Sequence, residues 1–154
     1  MTGVHAVIPA RDEEGSIVGA VANALAAGAR VVHVVANGCR DRTVARAKSL
    51  GPEVMVHEFQ DPLGPDVPRA AGLVYCLADP LAAVLFLDGD MCGPIHGYLK
   101  RLLQPVLAGD LDLSLTSCGS QDTAGHSAAA LVGRALETLN RRLGLFSKLG
   151  QASP

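Results

Sequence analysis

The stretch AAVLFLDGDMCGP, residues 82–94, joins an apolar run to two aspartates that flank a glycine. A short apolar run of this kind predicts a buried strand of a largely parallel sheet. Two carboxylates at its end are expensive to bury unless solvent or a cation balances their charge. Asp88, Gly89 and Asp90 therefore have two interpretations, a solvated turn at a strand end or a site that holds a cation.

Similar apolar runs alternate with helix-period segments along the rest of the chain. Strands are predicted at residues 4–9, 30–37, 53–59, 82–87 and 111–117, and helices at residues 15–29, 41–50, 67–79, 95–107 and 127–146. Asp41 and Asp66 are the expected caps of the second and third helices, and Pro68 lies in the first turn of the third. The alternation predicts an α/β fold, a three-layer sandwich with a mainly parallel sheet, in a single domain over residues 1–154.

Composition and charge narrow the functional classes. Apolar residues make up 49% and charged residues 18% of the 154 residues, which is typical of a folded domain. A net charge of -2 and an aromatic fraction of 3% disfavour a nucleic-acid partner, which needs basic patches and stacking surfaces. Neither a signal peptide nor an apolar run of membrane length is present, so a cytoplasmic protein is expected. The sequence leaves open whether the protein forms a homo-oligomer.

The metal-binding and redox residues show no local pairing in the sequence. The four cysteines form no C-x-x-C pair, and we expect them to be reduced thiols: Cys39, Cys76, Cys92 and Cys118. The five histidines are equally scattered, so their spacing argues against a zinc site.

Polar residues follow three of the predicted strands. The segments are PARDEE at residues 9–14, ANGCRD at residues 36–41 and DGD at residues 88–90. In open α/β sheets ligands bind outside the carboxyl ends of the strands, so these segments are expected to converge on one edge. Carboxylate oxygens suit Mg²⁺ or Mn²⁺, which complete their shells with water and phosphate oxygens. No G-x-G-x-x-G, P-loop or G-x-S-x-G motif occurs, which argues against a dinucleotide-binding enzyme, a P-loop ATPase and a serine hydrolase.

These segments together resemble the nucleotide-diphospho-sugar transferases of the GT-A fold, especially glycosyltransferase family 2. The resemblance rests on VIPARDEEGSI, VVANGCRDRTVARAKSLG, LGPDVPRAAGLVYCL and VLFLDGDM, the last of which matches the D-x-D strand of that family. It extends from about Val4 to Ser117. It implies a glycosyltransferase that uses a UDP- or GDP-linked sugar and a divalent metal, Mg²⁺ or Mn²⁺.

Carried over by position, the resemblance implies the roles of individual residues. The donor site would contain Pro9, Ala10, Arg11, Glu13, Asn37, Arg69, Asp88, Gly89 and Asp90. Asp90 would be the leading metal ligand and Asp88 would share the ion. Arg69 would reach the diphosphate, although a solvated residue in a first helical turn is an equal alternative.

The sequence also departs from the family pattern. Asp12, Ala36 and Cys39 replace the usual Asn, Asp and Ser. Asp122 and Glu137, late in the chain, are the acids considered as catalytic base, and neither is convincing. No catalytic residue is therefore assigned, and the acceptor side is expected to be incomplete.

Three alternatives to an active glycosyltransferase stay open at this point. The chain could bind the donor without turnover, because its acceptor half is truncated or lies on another chain. A nucleotidyltransferase would require a glycine-rich loop with a basic residue after the first strand, which PARDEEGS does not supply. A non-catalytic interaction module would leave the polar residues at three strand ends unexplained.

Overall fold

A computed structural model describes residues 3–115 and 149–151 of the chain. The chain divides into two compact units, Met1–Leu99 and Lys100–Pro154. The single domain over residues 1–154 stays a prediction.

The first unit is built on a four-stranded parallel sheet. Its strands are β1 (Gly3–Ala10), β2 (Ala29–Asn37), β3 (Val54–Phe59) and β4 (Leu81–Phe86), in the spatial order β3-β2-β1-β4. The four strands lie where the apolar runs predicted them. The α/β fold with a mainly parallel sheet is therefore confirmed.

Four helices connect and follow these strands. They are α1 (Ile17–Ala27), α2 (Thr43–Lys48), α3 (Asp66–Cys76) and α4 (His96–Leu107). α1 and α3 both contact the two central strands, β1 and β2. Ala6, Val7 and Ile8 are all completely buried. Because successive side chains of a strand point to opposite faces, their burial shows that both faces of the sheet are covered, as a three-layer sandwich requires.

Helix α3 lies unusually close to the sheet because of one glycine. A Cβ at Gly72 would stand 2.3 Å from Cγ1 of Val7 and 3.3 Å from Cγ2 of Val35. Real Cβ atoms do not approach so closely, so no larger residue fits here without displacement of the helix or the strands. Val7, Val35 and Cys76 form a buried cluster at this contact.

Neither predicted cap occupies the N-cap position of its helix. Arg42 is the N-cap residue of α2, and Asp41, one position before it, accepts a hydrogen bond from the backbone N–H of Thr43 through Oδ1 at 2.9 Å. Asp66 is not the cap of α3, because the helix begins at Asp66 itself and Pro65 occupies the N-cap position. Its carboxylate instead lies in the first turn, where the helix dipole favours negative charge.

The described part of the second unit contains a two-stranded parallel sheet, β5 (Leu113–Leu115) and β6 (Leu149–Gln151). β5 falls within the predicted strand at residues 111–117, whereas β6 had no sequence signal. The predicted helix at residues 127–146, Asp122 and Glu137 lie outside the described residues.

Candidate functional site

The strand order creates a crevice between β1 and β4. β2 and β3 extend the sheet on one side of β1, and the chain then returns from β3 across the sheet to place β4 on the other side of β1, so the strand order reverses there. Such a topological switch point leaves room outside the carboxyl ends of the strands, where ligands of open α/β sheets bind. Arg11 directly follows β1, and Asp88–Asp90 follow β4.

A pocket of about 340 Å³ opens at this switch point. Its lining contains every site residue named from the sequence, together with three residues that were not in that set: Pro9, Ala10, Arg11, Glu13, Asn37, Arg69, Asp88, Gly89 and Asp90, with Gly64, Pro65 and Pro68. The expected convergence of three polar strand ends on one edge is therefore present in the fold. The structure brings these residues together; the role of each stays a prediction.

The loop after β1 is held in place by hydrogen bonds to the start of α2. The backbone N–H of Glu13 donates to Oγ1 of Thr43 at 2.7 Å, and that of Glu14 donates to Oδ2 of Asp41 at 2.9 Å. Asp12 has a positive φ of 55° and accepts from the N–H of Arg40 at 2.7 Å. Asn and Asp tolerate this left-handed conformation better than other residues with a Cβ, so an Asp in place of the family's usual Asn suits the backbone here.

Glu13 links this loop to helix α1. Its Oε2 accepts a hydrogen bond from Oγ of Ser16 at 2.7 Å, and its carbonyl oxygen accepts from the N–H groups of Ser16 and Ile17. The side chain therefore borders the pocket in a fixed position. A side chain fixed in this way can receive a ligand hydroxyl without first losing much conformational freedom.

Asn37 fastens the loop between β3 and α3 to the end of β2. Its Nδ2 donates to the carbonyl oxygen of Gly64 at 3.0 Å, and its Oδ1 accepts from the N–H of Leu63 at 2.9 Å. Asn37 is buried, so both of these polar groups require a partner. This amide therefore positions Gly64 and Pro65 on the pocket wall. Both belong to the quoted segment LGPDVPRAAGLVYCL, but their place on the pocket wall depends on this long-range clamp.

Arg69 points toward the D-G-D turn. Its Nη2 donates to Oδ1 of Asp88 at 2.6 Å and its Nη1 donates to the carbonyl oxygen of Pro65 at 2.9 Å. The two side chains of the ion pair are 39% and 52% exposed. The guanidinium is thus bonded within the pocket wall while the side chain stays partly exposed, and its role toward a diphosphate stays a prediction.

Gly89 lies where the ends of β4 and β1 meet. It is buried, and a Cβ at this position would stand 3.1 Å from the carbonyl oxygen of Pro9 and 3.3 Å from Cγ of Glu13. Only a glycine gives the turn this approach without displacing the loop after β1. The two flanking aspartates are both exposed. The acids are thus not buried by the apolar strand that precedes them.

Asp90 differs from the other acids of the site. Asp88 pairs with Arg69, and Glu13 accepts from Ser16, whereas Asp90 has no such partner among residues 3–115. The lining holds three carboxylates against two guanidiniums, those of Arg11 and Arg69. Two exposed carboxylates on one turn offer hard oxygen ligands, so Asp88 and Asp90 fit Mg²⁺ or Mn²⁺ by their chemistry.

Solved structures share this architecture. S. aureus TarS 1-349 matches with a TM-score of 0.60 at 20% sequence identity, over 82% of this chain and 38% of that one. The complex of S. aureus TarS with UDP matches with a TM-score of 0.58 at 18% identity and the same two coverages. Glucosyl-3-phosphoglycerate synthase from Mycobacterium tuberculosis, in complex with uridine diphosphate, matches with a TM-score of 0.61 at 22% identity, over 94% of this chain and 52% of that one.

The fold is GT-A. At 18–22% identity these likenesses establish the fold alone, and the chain spans only 38–52% of the length of these neighbours. The sequence matches no protein-family model and no curated protein at significant similarity.

Within the described ranges, the GT-A chain contains no helix that is both long and apolar enough to cross a membrane. The cytoplasmic location stays a prediction.

Proposed function

We propose that this chain is a glycosyltransferase that binds a nucleotide-diphosphate sugar in the switch-point pocket and transfers its sugar with the help of a divalent metal. The observation that carries the proposal is the pocket lining itself. Residues that the sequence resemblance assigned to a donor site come from three separate strand ends and α3, and they meet around one cavity of about 340 Å³. Two of the structural neighbours were solved with UDP, which makes a UDP-linked sugar the first donor to test.

The electrostatics of the lining support a cation in this pocket. With three carboxylates and two guanidiniums, the pocket would repel a negatively charged diphosphate if it acted alone. A divalent ion on Asp90 and Asp88 reverses this balance. When bound, Mg²⁺ or Mn²⁺ supplies Lewis-acid stabilisation of the charge that develops on the nucleoside diphosphate as it leaves.

Arg69 and the start of α3 form the positive side of the pocket. The pair between Arg69 and Asp88 is exposed, and such pairs contribute only about 0.2–1 kcal/mol, so the guanidinium can exchange the carboxylate for a phosphate oxygen at low cost. That exchange frees Asp88 for the cation. The N-terminal turn of α3, from which Pro68 and Arg69 line the pocket, adds a dipole that favours the diphosphate.

The other side of the pocket suits the nucleoside. Pro9, Ala10 and Arg11 continue the end of β1 and supply backbone and apolar surface. Glu13 is fixed beside them and is the candidate acceptor for the ribose hydroxyls. Asn37 bounds the base side and keeps Gly64 in place.

Thermal shift measurements on the 154-residue chain test the donor site. UDP, UDP-sugars and GDP-sugars are compared with and without Mn²⁺. We expect Mn²⁺-dependent stabilisation by at least one donor, its loss in Asp90→Asn, and its retention in Glu53→Gln, which removes an exposed carboxylate outside the pocket. No metal-dependent stabilisation by any donor would overturn the proposal.

A second assay separates transfer from binding. Release of free nucleoside diphosphate from the stabilising donor, measured with a panel of hydroxyl acceptors, supports an active transferase. Stabilisation without any release of nucleoside diphosphate instead identifies a donor-binding domain without turnover. This alternative is tested because the residues that line the pocket all lie within residues 9–90 and include no assigned catalytic base.

A further inference from the structure

Three histidines form a row across the sheet on the face that α3 covers. His5 shares a face of β1 with Val7, and Val7 is the register partner of His33 on β2. His33 shares its face with Val35, which pairs with His57 on β3. Residues two apart on a strand lie on the same face, so the row runs diagonally over three strands. His5 and His33 each precede a pocket residue, Pro9 and Asn37, by four positions, or about 13 Å along the strand.

The ring nitrogens of this row face one another. Nδ1 of His5 lies 3.2 Å from Nε2 of His33, and Nδ1 of His33 lies 3.1 Å from Nε2 of His57. Cys76, the last residue of α3, adds its thiol to this group from the helix that covers this face of the sheet. Its Sγ and one nitrogen each of His5 and His33 all lie within 4.8 Å of one another.

All three of these ligand-type side chains are buried. His5 is 2%, His33 5% and Cys76 0% exposed. Buried imidazoles and a thiol are rarely gathered by packing alone, because apolar side chains fill the same volume without polar groups that need partners. In this row each contact between rings can be bridged either by a proton or by a metal ion.

We propose that His5, His33 and Cys76 bind one Zn²⁺ ion, in a site separate from the switch-point pocket. A tetrahedral ion with Zn–N bonds of about 2.0–2.1 Å holds its two nitrogen ligands about 3.3 Å apart, close to the 3.2 Å between His5 and His33. The sulfur needs a Zn–S bond of about 2.3 Å, which fits a group whose members lie within 4.8 Å. A water molecule would complete the four-coordinate shell.

His57 has the position of an outer-shell partner. When Nε2 of His33 binds the ion, its Nδ1 carries the proton and donates to Nε2 of His57. His57 is held in turn by its stack on Tyr75, with ring centroids 3.7 Å apart. The ring of His33 is therefore oriented by an outer-shell partner, as in built metal sites.

The protonation states agree with such a site. Burial lowers the pKa of His33 to about 4, so its ring is neutral near pH 7 and offers a lone pair. Burial raises the pKa of Cys76 to about 11, so the thiol holds its proton until a metal displaces it. Binding therefore forms two Zn–N bonds and one Zn–S bond and releases the thiol proton to solvent. The carboxylate of Asp79, which acts on His33 electrostatically, offsets part of the remaining positive charge.

Cobalt substitution tests the proposal on the full chain. After removal of metals with a chelator, the protein is titrated with Co²⁺, which reports thiolate ligation by a charge-transfer band and tetrahedral geometry by strong visible absorption. We expect both signals to saturate with a single ion, one proton to be released for each ion bound, and Zn²⁺ to displace the cobalt. Absence of the thiolate band in the unaltered chain overturns the proposal and leaves a hydrogen-bonded histidine row.

Three variants assign the band to these residues. Cys76→Ser is expected to abolish it. Because this buried change could impair folding, a second variant has Cys39, Cys92 and Cys118 all changed to serine, so that Cys76 is its only thiol. This variant is expected to retain the band. Loss of the band there assigns it to another cysteine and refutes the site. Asp90→Asn is expected to leave the band unchanged, which separates this site from the donor pocket.

The outer-shell role of His57 has its own readout. His57→Gln is expected to keep the band and to weaken cobalt binding by about 10–100-fold. An unchanged affinity would contradict the orientation of His33 by His57.

Discussion

The substitution Gly72→Ala tests the close contact between α3 and the sheet. The added Cβ would lie 2.3 Å from Cγ1 of Val7, more than 1 Å short of the 3.4 Å at which ordinary contact begins. Val7 is completely buried in the centre of β1, so it has no free space into which it can move. Overpacking of this kind costs about 1–3 kcal/mol.

Helix propensity acts in the opposite direction at the same position. Alanine is favoured over glycine by about 0.8–1.0 kcal/mol in a helix interior, and Gly72 lies inside α3. The net loss in free energy of unfolding should therefore be at most about 2 kcal/mol. Urea unfolding followed by circular dichroism measures this difference.

Gly19→Ala is the matched control for this measurement. Gly19 lies inside α1, is exposed, and a Cβ there meets no atom within 4 Å. This variant gains the propensity without the clash and should be more stable than the parent by up to about 1 kcal/mol. If Gly72→Ala were stabilised to the same extent, the close packing of α3 on β1 would be refuted.

A double substitution locates the clash. In a Val7→Ala background both Cγ atoms are gone, so Gly72→Ala should become neutral or stabilising there, a coupling that independent sites do not show. An equal loss in both backgrounds would mean that Val7 is not the residue that the added Cβ meets.

Three further predictions concern the pocket and the histidine row. Arg69→Met should lower the free energy of unfolding by no more than about 1 kcal/mol, because its ion pair is exposed. The same change should weaken UDP binding, measured by calorimetry, by at least tenfold. Arg42→Met, which breaks a similar exposed pair with Glu14, should leave UDP binding unchanged. Asn37→Asp places a carboxylate against the carbonyl oxygen of Gly64, so it should lower the free energy of unfolding by about 1–3 kcal/mol and also weaken UDP binding. Asn23→Asp, which removes a similar buried donor to Gly93, should destabilise the chain without weakening UDP binding. Equal UDP affinities in the two variants would contradict the clamp. In metal-stripped protein, unfolded His33 takes up its proton near pH 6.5 and folded His33 only near pH 4, so the unfolded state binds more protons between these values. The free energy of unfolding should therefore fall by at most about 3 kcal/mol as the pH drops through this window. Above the window His33 makes no such contribution. His33→Gln should reduce that slope and His96→Gln, at an exposed position, should not.

The positions of the strands and of the polar residues that follow them could be predicted from sequence, because each depends on a local pattern. Apolar runs marked β1 to β4, and the polar residues after them had to meet at one edge once the sheet was parallel. The start of α3 was misplaced by one residue, since Asp66 and Pro65 are both acceptable at a helix entrance and the loop clamped by Asn37 decides between them.

The histidine row could not be predicted in the same way. Its members are 28 and 24 positions apart, and they meet only because β1, β2 and β3 pair in a particular parallel register. A shift of one residue would send a histidine to the opposite face of the sheet. Their even scatter along the chain therefore says nothing about their distance in space. Cys76 adds a second dependence, because its depth is set by the contact at Gly72.

The acids around the pocket have different structural explanations, and this difference bears on the metal proposal. Asp12, Glu14 and Asp41 accept hydrogen bonds from backbone N–H groups. Glu13 and Asp88 accept from Ser16 and Arg69, so each of these five carboxylates contributes to the local structure. Asp90 is the carboxylate of the pocket lining for which residues 3–115 supply no such partner.

An exposed carboxylate without a partner is common on protein surfaces and explains nothing alone. Asp90, however, lies two residues from Asp88 at the carboxyl end of β4, across a glycine that no larger residue could replace without moving the loop after β1. Asp88 is paired with Arg69, and under the proposal a cation shared by the two aspartates would replace that pair. Neither packing nor hydrogen bonding in the described chain gives Asp90 a role, and the proposed metal site would give it one. For this reason Asp90→Asn, rather than a change at Asp88, is the variant that separates metal-assisted donor binding from a structural turn.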